Sequence, residues 1–291
     1  MKLKAGQIII LFLTLYLVLG LTNYTLKGTP NGTNDFLAHY YKTTGDIENE
    51  KALEYYSPDF LEKYPQVFHI LAKPFAVNEF GFYAFAVILV CLIAPALLYK
   101  IAGDFAVFIY FAISLPHMIL YNATFPSFLI MIYVLIYLLN RKNWKLLIVL
   151  AMLAVVTHKH GFFIFALICF AEMAQIYFTD KKFLAGLLVG VKASTPAQVL
   201  MIFINHVNIY FVWIARKKFT IFYSILFGAS VIASIFYETR TIILAQIILC
   251  VLVGETFQTT KPSKLFWVIW ILILLFNFFD FFIGTEKFIF M

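Results

Sequence analysis

Asp35 and His39 stand four residues apart, close enough to share a face if their segment is helical. A carboxylate there can take a proton from a hydroxyl nucleophile, and the imidazole can hold a phosphate or tune the carboxylate. A capping Asp beside an interfacial His accounts for the same spacing. His69 closes a second unusual piece, Tyr64-Pro65-Gln66-Val67-Phe68-His69. His158-Lys159-His160 offers a place for an anionic group, or a short turn with snorkelling side chains. Arg240 follows Glu238 and carries the planar fork that suits phosphate, although a contact to Glu238 or to a lipid headgroup would also explain it. Asp46-Ile47-Glu48-Asn49-Glu50 alternates carboxylates but lacks the Gly and closing Glu of a calcium loop, and reads as solvated charge. The chain has no Walker A loop, GxGxxG, HExxH or CxxC, which argues against a soluble nucleotide-driven enzyme. No metal and no cofactor are expected.

These residues must be positioned by a chain that is 63% hydrophobic and 13% charged, with a mean hydropathy of +0.91. Soluble domains carry about 25% charged residues, so a water-soluble core cannot absorb this excess. The expected class is therefore an all-α, polytopic integral membrane protein forming a single transmembrane domain over residues 1–291. The net charge of +7 comes from short basic clusters between apolar runs, not from a groove-lining stripe, so nucleic acid is not an expected partner. Cys91, Cys169 and Cys250 each lie within an apolar run and read as packing residues.

About nine full spans are expected, beginning with Gln7–Leu21 as a retained signal anchor and Phe80–Tyr99 as the second. Between them residues 23–78 form the one long polar segment, expected to be a catalytic or binding cap. Phe105–Leu120, Ser127–Leu139, Leu146–Val156 and Phe162–Phe178 follow. Phe183–Val191 is too short to cross alone, and Lys192-Ala193-Ser194-Thr195-Pro196 interrupts it before Ala197–Ala215. This part is expected to be a re-entrant or broken hairpin. Phe219–Phe236, Thr241–Phe257 and Leu265–Ile283 complete the set.

Short basic clusters fix the expected orientation. Lys2/Lys4, Lys100, Arg141/Lys142/Lys145, Lys181/Lys182, Arg216/Lys217/Lys218 and Lys261/Lys264 all fall on one side if the N-terminus is cytoplasmic. The long loop, Thr157–Gly161 and Tyr237–Arg240 then share the extracytoplasmic face. Asp35, His39, His69, His117, His158, His160, Glu238 and Arg240 are all expected there. Ionisable groups at the membrane are costly, which makes their convergence a functional signal.

This pattern resembles the GT-C superfamily of membrane glycosyltransferases, especially small prokaryotic members. The resemblance rests on Asn34-Asp35 with His39 early in the large outer loop, and on Tyr64-Pro65-Gln66-Val67-Phe68-His69 before the second span. Thr157-His158 at the outer end of a middle span and Arg240 opening a late span complete it. It covers residues 7–168 and 237–254. The resemblance implies inverting sugar transfer in a cell membrane from a polyprenyl-phosphate-linked donor to a glycan, lipid or protein acceptor, with Asp35 as base. His39, His69, His158, His160, Glu238 and Arg240 would hold the lipid phosphate or substrate. The chain is short for that superfamily, has one acid where many members have a pair, and has no Asp-x-Asp. A polysaccharide polymerase or ligase would depend on Arg240 and the histidines more than on Asp35. A transporter of lipid-linked glycans would use the broken segment around Lys192–Pro196.

Overall fold

A computed structural model describes residues 4–30, 34–46, 66–113, 125–158, 160–177, 209–236 and 242–283, and every element among them is helical. In chain order these are α1 (Ala5–Lys27), α2 (Asn34–Thr44), α3 (Gln66–Ala72), α4 (Glu79–Ala102), α5 (Asp104–Ala112) and α6 (Phe125–Leu139). Then come α7 (Trp144–Thr157), α8 (His160–Tyr177), α9 (Ile209–Ala215), α10 (Ile221–Phe236), α11 (Ile242–Thr259) and α12 (Lys264–Ile283). Among the described residues three helices, α1, α4 and α11, are long and apolar enough to cross a membrane, and several shorter apolar helices accompany them. The segment expected to form a broken hairpin, residues 183–196, lies outside the described residues.

The chain packs as two compact units. Met1–Ile101 with Met118–Phe170 make the first, and Ala102–His117 with Ala171–Met291 make the second.

In the first unit α1 and α4 run antiparallel. The Tyr83 hydroxyl donates to the Tyr16 carbonyl at 3.2 Å, and Tyr24 stacks on Phe80 with ring centroids 6.2 Å apart. The N-terminus of α4 is set by Asn78, whose side-chain oxygen accepts the Gly81 N–H at 2.8 Å. Midway, Pro95 has no N–H to offer the helix, and just before it the backbone widens into a π-turn over Leu89–Ile93. The helices α6 and α7 form a hairpin whose turn ends at Asn143; its side chain accepts the Leu146 N–H at 3.1 Å. The helix α6 contains no charged residue and is buried almost all round, so no polar face is left for solvent. The helix α3 packs on both members of this hairpin and on α2.

In the second unit α11 is the axis, with Ile242–Gly254 buried throughout and α5, α9 and α10 against it. The helix α12 lies on α5, where the Trp270 indole N–H donates to the Phe108 carbonyl at 2.7 Å. The Gln175 side-chain oxygen accepts the Phe222 N–H at 3.1 Å, which satisfies one of the free donors in the first turn of α10.

Candidate active site

The described residues of the polar segment expected as a loop include the helices α2 and α3, and their docking builds the site. The helix α2 has a stripe of buried residues, Phe36, His39 and Thr43, at the spacing of one helical face. Phe36 is fully buried and meets Phe82, Tyr83 and Phe125 with centroid separations of 5.4, 6.3 and 6.4 Å. From α3, Phe68 stacks on Phe125 at 5.7 Å with planes only 13° apart. Rings from α2, α3, α4 and α6 thus make one aromatic core under the cap. Edge-to-face and offset pairs of this kind add to the area they bury.

His39 and His69 meet above that core. His39 Nδ1 and His69 Nε2 lie 3.2 Å apart, ring centroids 5.4 Å apart, and both residues are buried. One nitrogen donates and the other accepts. The Thr43 hydroxyl donates to the His39 carbonyl at 2.7 Å, and α2 then ends at Gly45. Gly45 has φ +87°, a left-handed conformation open to glycine, and its N–H reaches the Tyr41 carbonyl at 3.0 Å. The adjoining Tyr40 and Tyr41 hydroxyls are pushed above the ordinary tyrosine range by partial burial and then by the Glu79 carboxylate, so both stay neutral phenols. Asp35 belongs to α2 by its backbone, one turn before His39, as the four-residue spacing implies.

His158 and His160 flank the turn between α7 and α8. Their rings lie 4.5 Å apart, both are buried, and His158 Nδ1 accepts the His160 backbone N–H at 3.3 Å. An accepting Nδ1 places the proton of a neutral His158 on Nε2. The turn is tight because Gly161 presses on the Ala154 carbonyl, where a Cβ would collide. Just before it the Thr157 hydroxyl donates to the Leu153 carbonyl at 2.7 Å. Tyr133 is therefore the donor in its 3.4 Å contact with Thr157.

The structure thus joins His39 to His69 and His158 to His160. The packing of α3 on the α6–α7 hairpin, whose open end carries Phe125 and Thr157, sets both pairs at the same end of the first unit. Glu238, Arg240, His117, Lys159 and Tyr64-Pro65 lie outside the described residues. Among the described residues no three His, Cys, Asp or Glu side chains gather as a metal-holding group.

Among the buried polar residues that escaped the sequence reading are Glu172 in α8 and Gln246 in α11. Glu172 is the one acid in its apolar helix, which was a usable signal. Gln246 carries no charge and leaves the apolar run intact. Compared with protein-family models, curated proteins and solved structures, the chain matches none.

Proposed function

We propose that the chain is a membrane glycosyltransferase that moves a sugar from a polyprenyl-phosphate-linked donor to an acceptor hydroxyl at the extracytoplasmic face. One observation carries this reading: the helix bearing Asp35 docks through Phe36 and His39 at the end of the first unit that also carries His69, His158 and His160. Imidazoles gathered at the end of apolar helices, with Asp35 on the backbone of the helix that carries one of them, suit chemistry on a substrate that is part lipid and part anion.

In the proposed reaction Asp35 accepts the proton of a glycan, lipid or protein hydroxyl. The hydroxyl oxygen attacks the anomeric carbon of the donor, and the bond from that carbon to the phosphate oxygen breaks. The electron pair leaves on the lipid phosphate, and the anomeric configuration inverts. The histidines would stabilise charge on the departing phosphate, and the sequence singles out Arg240, outside the described residues, for the same role. Glu238 would contact the substrate or orient Arg240. The protein would sit in the cell membrane with about nine full spans and a broken hairpin. The N-terminus would be cytoplasmic and the α2–α3 cap outside, as the basic clusters favour.

The test is a transfer assay with purified protein in lipid vesicles, supplied with a radiolabelled polyprenyl-phosphate sugar. Label appearing in a glycosylated acceptor, with free polyprenyl phosphate released, is the expected result. Donor that crosses the bilayer but is never consumed would instead identify a transporter.

A further inference from the structure

We propose that His39 and His69 form a buried proton site that fastens α2 to α3 and releases it when both rings are charged. The inference starts from a proton count. The facing nitrogens, 3.2 Å apart, hold one hydrogen between them when the pair is neutral. A first added proton goes to an outward nitrogen, and the contact becomes a charge-assisted bond, which is stronger. A second added proton puts N–H groups on both facing nitrogens. The hydrogen bond is then lost, and two like charges meet among the rings of Phe68 and Phe125. The pair therefore titrates as a unit, and the last proton enters only as the rings part.

The contact joins residues thirty positions apart in the chain, on two different helices. Phe36 is the apolar anchor of α2 and His39 its polar one, one turn apart. Charged and titratable groups nearby come from each element packed on the pair. They are Asp35, Lys42 and Asp46 on and after α2, Lys73 after α3, and Glu79 in the first turn of α4. Tyr40 and Tyr41 remain uncharged, α6 has no Asp, Glu, Lys, Arg or His, and α7 has only Lys145 in its first turn, with His158 after its last.

The test places spin labels at Thr44→Cys and Leu71→Cys, both exposed, in the full chain with Cys91, Cys169 and Cys250 replaced by Ala. In phosphatidylcholine vesicles the label-to-label distance should be short and narrow at about pH 8. At about pH 5 it should be longer and broader. His69→Gln still hydrogen-bonds His39 but takes up no proton, so its distance should stay short at both values. His39→Gln serves the same purpose should His69→Gln fail to fold. An unchanged distance in the parent protein, or a pH response that survives in the Gln variants, overturns the proposal. Isotope-labelled histidine NMR on the unsubstituted chain gives an independent reading. Two separated protonation steps for His39 and His69 support the site, and two identical, independent titrations refute it. These measurements involve no sugar transfer, so their failure is distinct from failure of the proposed function.

Discussion

Asp35→Asn keeps the size of the side chain while removing its charge and nearly all its basicity. If Asp35 is the base, transfer falls by about 10²–10⁴-fold, the usual worth of a positioned proton acceptor, while the helices stay folded. Product formation in vesicles, with circular dichroism as the folding check, decides it; undiminished transfer removes the mechanism. Arg240→Lys retains a positive charge but loses the two-pronged geometry. Half-saturation for the lipid-phosphate donor should therefore rise before turnover falls. Loss with Arg240→Lys but not with Asp35→Asn would favour a polymerase or ligase. At this scale the spacing of Asp35 and His39 was informative, because four residues on a helix have one geometric meaning. The pairing of His39 with His69 was not legible, since it depends on how two separate short helices dock.

The docking of α2 centres on Phe36 and His39, one turn apart on its buried face. Phe36→Ala removes the fully buried ring at the centre of the aromatic cluster, a change that costs about 3–5 kcal/mol in a packed core. Most of that loss should fall on α2 itself, because its other anchor is the imidazole pair. Hydrogen exchange of the α2 amides should quicken by about 10²-fold or more while α4 and α6 keep their protection. Equal exchange before and after substitution would show that Phe36 does not hold the helix. A second test concerns the α7–α8 turn. Gly161→Ala places a methyl against the Ala154 carbonyl, and backbone cannot swing aside as a side chain can. The expected cost is about 1–3 kcal/mol, read as a lower unfolding midpoint in detergent, with His158 and His160 displaced from each other. An unchanged midpoint would mean that the turn relaxes freely.

The sequence foretold the long apolar helices well because membrane-length runs are an additive property of composition. Phe80–Tyr99 was expected and Glu79–Ala102 is found. Gln7–Leu21 was expected and α1 runs from Ala5 to Lys27, since Asn23, Tyr24 and Thr25 stay helical beyond the apolar run. The cap was less legible. Its polar composition signalled a loop, whereas α2 and α3 are short helices whose stability comes from burying Phe36 and Phe68 against α4 and α6. The division of the chain into two compact units has no marker in linkers or composition, because α5 lies between α4 and α6 in sequence yet packs with α11 and α12.

Orientation is the property of the whole molecule on which the proposed chemistry depends. A lipid-linked donor used outside the cell requires α2 and α3 to face outward and the α6–α7 turn inward. Asp46 follows α2 and Lys145 opens α7, and both are exposed. Single cysteines placed at these two positions, with Cys91, Cys169 and Cys250 replaced by Ala, should react with a membrane-impermeant maleimide from opposite sides. In intact cells Asp46→Cys should label at once, and Lys145→Cys only after permeabilisation. The physical reason is the excess of Lys and Arg on the short connections at the Lys145 side, which resist translocation across the membrane. Labelling of both from outside would place an even number of crossings between them and overturn the span order. Labelling of Lys145→Cys alone would invert the molecule, leaving Asp35 and the histidines in the cytoplasm, where a donor used at the extracytoplasmic face would not reach them.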